Sequence, residues 1–207
     1  MGDLADLKRA VETGDRTTAV TITQAAVDDG LNPKEILDVM TSAMDVVGAK
    51  FQHGELFVPE MLIAARAMKE ALVVLEPELV AAGVKPEFTA IVGTVEGDLH
   101  DIGKNLVAMM WKGAGFDVVD LGVNVPADRF VSASQEHGAN IIGLSALLTT
   151  TMPNMRGVID AIRSAGLDAP IVIGGAPTTQ EFADQIGADG YALDAGAAVD
   201  MARALLG

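Results

Sequence analysis

Between Gly93 and Lys104 the chain reads Gly-Thr-Val-Glu-Gly-Asp-Leu-His-Asp-Ile-Gly-Lys, which puts three carboxylates and a histidine in one short segment. A histidine in such company has two chemical uses. It can ligate a metal through a ring nitrogen, or it can carry a proton. Asp98, two residues before His100, is near enough to accept a hydrogen bond from the other ring nitrogen. A carboxylate in that place fixes the imidazole tautomer and raises its strength as a donor. Gly103 lets a bulky group come close to the backbone. Glu96 and Asp101 fit loop solvation and partner contact equally well. The spacing Asp-x-His-x-x-Gly is short, and a lone histidine in a loop is more often solvated or capping than ligating. Two other segments shift that balance. Ser145-Ala146-Leu147-Leu148-Thr149-Thr150-Thr151 gathers hydroxyls, and Gly174-Gly175-Ala176-Pro177-Thr178-Thr179 opens on paired glycines.

These segments matter only if the fold brings them together. The sequence changes character near residue 85. Before it, apolar residues recur at helical spacing, and four helices are expected, the first two over roughly residues 3–13 and 15–29. Asn32 and Pro33 mark the start of the third, with Glu35 as the acid of a capping box. Ile36, Leu37, Met40, Met44, Val47 and Phe51 then follow the 3.6-residue period. Gln52-His53-Gly54-Glu55 breaks that helix. The fourth starts near Pro59, carries Met61, Leu62, Ala65, Met68, Leu72 and Leu75 on one face, and is expected to end at Pro77. Short connections make this a small bundle. Residues 76–87, with Pro77, Gly83 and Pro86, read as a linker.

After it, strands expected at 89–94, 117–121, 141–145, 171–174 and 190–193 alternate with helices near 101–113, 126–137, 152–165, 178–186 and 195–206. Strict alternation implies a parallel sheet covered on both faces, and five strands suggest a flavodoxin-like order. Continuously apolar runs such as Ile141-Ile142-Gly143-Leu144 suit strands buried on both sides. The chemistry-bearing segments then follow the first, third and fourth strands, at the carboxyl edge where such sheets bind ligands. The domains expected are therefore 1–85, helical, and 86–207, α/β.

Composition narrows the partners. Fourteen basic and 29 acidic residues leave a net charge of −15, unsuited to nucleic acid or an anionic membrane surface. The absence of cysteine removes disulfides, iron–sulfur clusters and thiolate zinc sites. No apolar run approaches a membrane span, the first residues lack a secretory pattern, and a cytoplasmic location is the expectation.

Asp98-x-His100-x-x-Gly103, followed by Ser145-x-Leu147 and by Gly174-Gly175, resembles the cobalamin-binding motif of corrinoid proteins and of the cobalamin module of methionine synthase. Residues 51–61, Phe-Gln-His-Gly-Glu-Leu-Phe-Val-Pro-Glu-Met, are similar to the helical cap that precedes that module. The two-domain format is that of small corrinoid proteins in methanol, methylamine and betaine methyltransferase systems. The resemblance implies that His100 displaces dimethylbenzimidazole and ligates cobalt from below. It gives Asp98 the hydrogen bond to that histidine and Thr151 the hydroxyl completing a ligand relay. It implies that Ser145 and Thr149 contact the displaced nucleotide tail and that Gly174 and Gly175 line its channel, with Asp101, Gly103 and Leu147 in the cofactor site. Phe51, Phe57, Val58 and Met61 then cover the methyl-bearing face. Pro177 stands where methionine synthase has a threonine.

The function so implied is methyl carriage on cobalamin or a related corrinoid. Cobalt(I) accepts a methyl group from a substrate-specific methyltransferase, and methyl-cobalt(III) is presented to a second methyltransferase serving a folate or thiol acceptor. A reductive activase is a further expected partner. A cobalamin sensor or storage protein, the cobalamin subunit of a mutase and, more remotely, a flavin electron carrier are the alternatives. Apart from Met61, the methionines read as core filler and Trp111 as packing. His53 reads as a surface residue, and His137 as a C-terminal helix residue before Gly138.

Overall fold

The protein is described from a computed structural model that covers residues 3–84 and 86–207. It forms two compact units, one ending at Pro86 and the other beginning at Glu87.

The first unit holds helices α1 (Leu4–Thr13), α2 (Arg16–Asp28), α3 (Pro33–Gln52) and α4 (Val58–Ala81). Local chemistry sets their starts. Asp3, Asp15 and Asn32 each accept a backbone N–H of the first turn through the side chain. Glu60 reaches back to accept the N–H of Phe57 at 2.8 Å and so opens α4. α1 packs on α3 and α2 on α4. Met40, Met44, Met61 and Met68 are all buried, alongside Leu7, Val11, Ile36, Val47 and Leu75. Leu62, assigned to the buried face from its spacing, is instead 39% exposed. It lies one position round the helix from Met61, and the buried set is Met61, Ala64, Ala65, Ala67, Met68, Ala71 and Leu75.

Pro77 does not end α4. The helix runs on to Ala81, so the linker is shorter than its composition implied, and Lys85 within it lies outside the described residues. Proline removes one donor and frees the carbonyl four residues earlier. Here Pro77 and Val73 both lie on the exposed side of the helix. The stop comes where Gly83 N–H donates to Val80 O and Val84 N–H to Leu79 O, the pattern that satisfies the last carbonyls.

The second unit is a five-stranded parallel sheet in the order β2-β1-β3-β4-β5. Its strands are β1 (Thr89–Thr94), β2 (Asp117–Asp120), β3 (Ile141–Ser145), β4 (Ile171–Gly174) and β5 (Gly190–Ala192). The helices between and after them are α5 (Ile102–Gly113), α6 (Ala127–His137), α7 (Pro153–Ser164), α8 (Gln180–Ile186) and α9 (Ala195–Leu206). This is the doubly wound order expected from the alternation. On one face Phe130, Met155, Val158, Ile159 and Ile162 pack against Ile91, Ile142, Leu144 and Ile173. On the other, Trp111 is fully buried and donates its indole N–H to Ala198 O at 3.0 Å. α6 ends at His137, followed by Gly138 in the left-handed conformation.

Register aligns the carboxyl edge. Thr94 pairs with Ser145, Ser145 with Gly174, and Gly174 with Ala192. The direction of winding reverses between β1 and β3, which opens a crevice beyond their ends. The loops after these two strands carry the His100 and Thr151 segments.

Candidate functional site

Asp98 is the hub of the site. It is completely buried. Its Oδ1 accepts the His100 backbone N–H at 3.0 Å and lies 2.7 Å from His100 Nδ1. Its Oδ2 accepts the backbone N–H groups of Leu147 at 2.8 Å and Leu148 at 3.2 Å, and the Thr151 hydroxyl at 2.7 Å. One carboxylate therefore ties the loop after β1 to the turn after β3. Burial pushes its pKa up. The bonds from Thr151, from the His100 and Leu147 N–H groups and from the His100 ring outweigh burial and hold it well below the usual carboxylate range. An ionised Asp98 has no proton to give, so the hydrogen atom between it and His100 belongs to Nδ1. In the neutral ring, Nε2 is then the nitrogen that carries the lone pair. The His100 side chain is half exposed, while Asp98 beneath it has no exposure. That arrangement suits a metal brought up from outside.

The loop itself is held from several sides. Thr94 donates its hydroxyl to His100 O at 2.9 Å, and Asn124 N–H donates to Asp98 O at 2.9 Å. Lys104, buried in the first turn of α5, donates to both carboxylate oxygens of Asp120 at the end of β2 and to Asn105 Oδ1 at 2.6 Å. Asn105 in turn donates to Asp101 at 3.1 Å.

Not every residue expected at the site joins this network. Asp98, His100, Leu147 and Thr151 are brought together. Ser145 ends β3, half-buried, and its carbonyl accepts Val95 N–H. Thr149 is exposed in the following turn. Asp101 is exposed and turned toward Asn105. Gly103 has open space where a side chain would stand. Gly174 ends β4 and Gly175 follows it, with a φ of +132° and the Ala146 carbonyl oxygen only 1.9 Å from where a Cβ would sit. No side chain fits there, and the ends of β3 and β4 stay close with nothing between them. In the first unit Phe57 is 68% exposed, Phe51 and Val58 are half-buried, and Met61 is buried.

The carboxyl edge also carries bare apolar side chains that sequence reasoning passed over. Leu99, Ile102 and Leu193 are each more than two-thirds exposed, and Leu148 is 41% exposed beside Leu147 at 42%. Leu99 stands between Asp98 and His100 in an otherwise polar loop. An exposed leucine in that setting is the signal that was available. Exposed apolar side chains of this kind suit contact with a broad, largely apolar ring.

A histidine held by a buried carboxylate, with exposed leucines beside it, fits a metal-bearing macrocycle. The family comparison agrees. Residues 88–200 match the model of the B12 binding domain, and residues 4–76 match a second B12 binding domain model.

The chain belongs to the B12-binding corrinoid proteins.

A corrinoid protein of Desulfitobacterium hafniense (strain Y51) is 41% identical, with 100% of this chain and 99% of the relative covered. Trimethylamine corrinoid protein 1 of Methanosarcina acetivorans is 40% identical, with 98% and 96% covered. Among solved structures, a cobalamin-binding protein from Desulfitobacterium hafniense DCB-2 superposes with a TM-score of 0.82 at 30% identity, covering 99% of both chains. A chain of the methanol:cobalamin methyltransferase complex from Methanosarcina barkeri gives 0.87 at 31% identity, covering 98% of this chain and 79% of that one. Each of these matches covers at least 98% of this chain. No helix among its described residues is long and apolar enough to cross a membrane.

Proposed function

We propose that this corrinoid protein is a methyl carrier that holds its cobalamin, or a related corrinoid, through His100. The observation that carries the reading is the buried Asp98, which binds His100 Nδ1 on one oxygen and Thr151 with two backbone N–H groups on the other. The bound corrinoid supplies the cobalt on which the methyl group rides. The protein supplies orientation. Asp98 holds Nδ1, so Nε2 would be the nitrogen that holds the cobalt. Asp98 Oδ2 already accepts three donors, among them the Thr151 hydroxyl, which fixes the carboxylate beneath the imidazole.

In this reading Leu99, Leu147 and Leu148 would hold the apolar surface of the ring. Ser145, Thr149, Gly174 and Gly175 receive the nucleotide tail, and Asp101 and Gly103 border the site. The helical unit is a cap, with Phe51, Phe57, Val58 and Met61 serving the methyl-bearing face. A substrate-specific methyltransferase loads the carrier, a second methyltransferase unloads it to a folate or thiol acceptor, and a reductive activase restores it. The relatives named for dimethylamine and trimethylamine support this role.

The test is a titration of the apo-protein with hydroxocobalamin. It is followed by electron paramagnetic resonance of the reduced cobalt(II) form, with nitrogen-15-labelled histidine. One tightly bound corrinoid with a histidine nitrogen in its hyperfine pattern, lost in His100→Ala, is the expected result. Binding with dimethylbenzimidazole still on cobalt would overturn the assignment of His100.

A further inference from the structure

The peptide group joining Glu96 to Gly97 is held at both ends by asparagine side chains from other parts of the chain. Its N–H donates to Asn124 Oδ1 at 2.7 Å, and its carbonyl accepts from Asn154 Nδ2 at 2.8 Å. A peptide unit is planar, so fixing both ends fixes its rotation about the chain direction. That rotation sets where the next residue, Asp98, leaves the loop.

Both asparagines have second links to the same hub. Asn124 N–H donates to Asp98 O at 2.9 Å. Its backbone is in the left-handed region, φ 53°, the one non-glycine residue so placed among the described residues. Asparagine tolerates that conformation better than most side chains. Asn154 sits one turn beyond Thr151 and donates its own N–H to Thr151 O at 3.0 Å, while the Thr151 hydroxyl donates to Asp98. Both side chains are exposed, so core packing does not explain them. We infer that Asn124 and Asn154 are positioning residues that aim His100 at the metal it ligates. This rests on the reading of His100 as the axial ligand.

The two positions differ in polarity, and that makes the inference testable. Asn124 acts as an acceptor, which aspartate can replace. Asn154 acts as a donor to a carbonyl, and aspartate there sets a carboxylate against a carbonyl oxygen. Isosteric changes therefore have opposite outcomes. Full-length variants are titrated with hydroxocobalamin and their cobalt(II) forms read for the histidine nitrogen coupling, with thermal unfolding of each apo-protein alongside. Asn124→Asp should bind within about twofold of the parent and keep the coupling. Asn124→Ala and Asn154→Asp should bind roughly 10-fold more weakly and lose the coupling in a large share of molecules. Asn154→Ala removes the donor without adding charge and should do the same, should Asn154→Asp fail to fold. Parent-like binding and coupling in Asn124→Ala and Asn154→Ala would overturn the inference, as would equal damage from both aspartate variants. A parent protein without histidine coupling would instead defeat the ligand assignment itself.

Discussion

Asp98 has one set of contacts and two consequences. The five donors around it orient His100, and they also make its ionised form part of the folded state. Its folded pKa lies below the ordinary value of 3.8, so the stability it contributes is present above pH 3.8 and is lost as pH falls toward the folded pKa. Thermal unfolding of the parent and Asp98→Asn should therefore differ most at neutral pH. The gap should narrow steadily below about pH 4. The same substitution puts an amide opposite Nδ1 and should weaken hydroxocobalamin binding by about 10- to 100-fold, read by titration. The Asp98–His100 pairing was legible because two residues fix a short reach. Asn124 and Asn154 were not legible, since each lies far along the chain from Gly97 and nothing local marks its partner.

Helix α4 shows how an element can disobey its strongest local signal. Pro77 costs a hydrogen bond, yet it stands on the exposed side of the helix, which continues for another turn. Pro77→Ala should restore the donor and stabilise the protein by about 2 kcal/mol, the helix-interior penalty of proline less its restraint of the unfolded chain. Urea denaturation followed by circular dichroism checks this. Just after β4, Gly175 has no such latitude. Gly175→Ala sets a methyl group 1.9 Å from the Ala146 carbonyl oxygen at a φ of +132°. The ends of β3 and β4 must then part, at a cost of at least about 2 kcal/mol by the same denaturation. The paired glycines stand out in the sequence, but which backbone they press against depends on the order of the strands.

At the scale of the whole molecule, charge and aromatic content are the useful quantities. With a net charge of −15, the protein should not be retained by duplex DNA even at low salt, as a gel-shift assay would show. The chain has a single tryptophan, and Trp111 stands nine residues into α5, roughly 14 Å along the helix from the start that follows His100. A coloured macrocycle at His100 lies within energy-transfer range of that one indole. Hydroxocobalamin should therefore quench its fluorescence in proportion to occupancy, and His100→Ala should shift the quenching to higher concentration.

By itself the sequence determined the two-part organisation, the alternation that makes a parallel sheet, and the three segments that end on one edge of it. These follow from periodicity and from local spacing, which act over a few residues. The tertiary structure alone decided that one carboxylate joins the first and second of those segments, that leucines beside the histidine stay bare, and that two distant asparagines hold one peptide. Such contacts depend on strand order and register. They arise only once the buried faces of the sheet and helices have closed on each other.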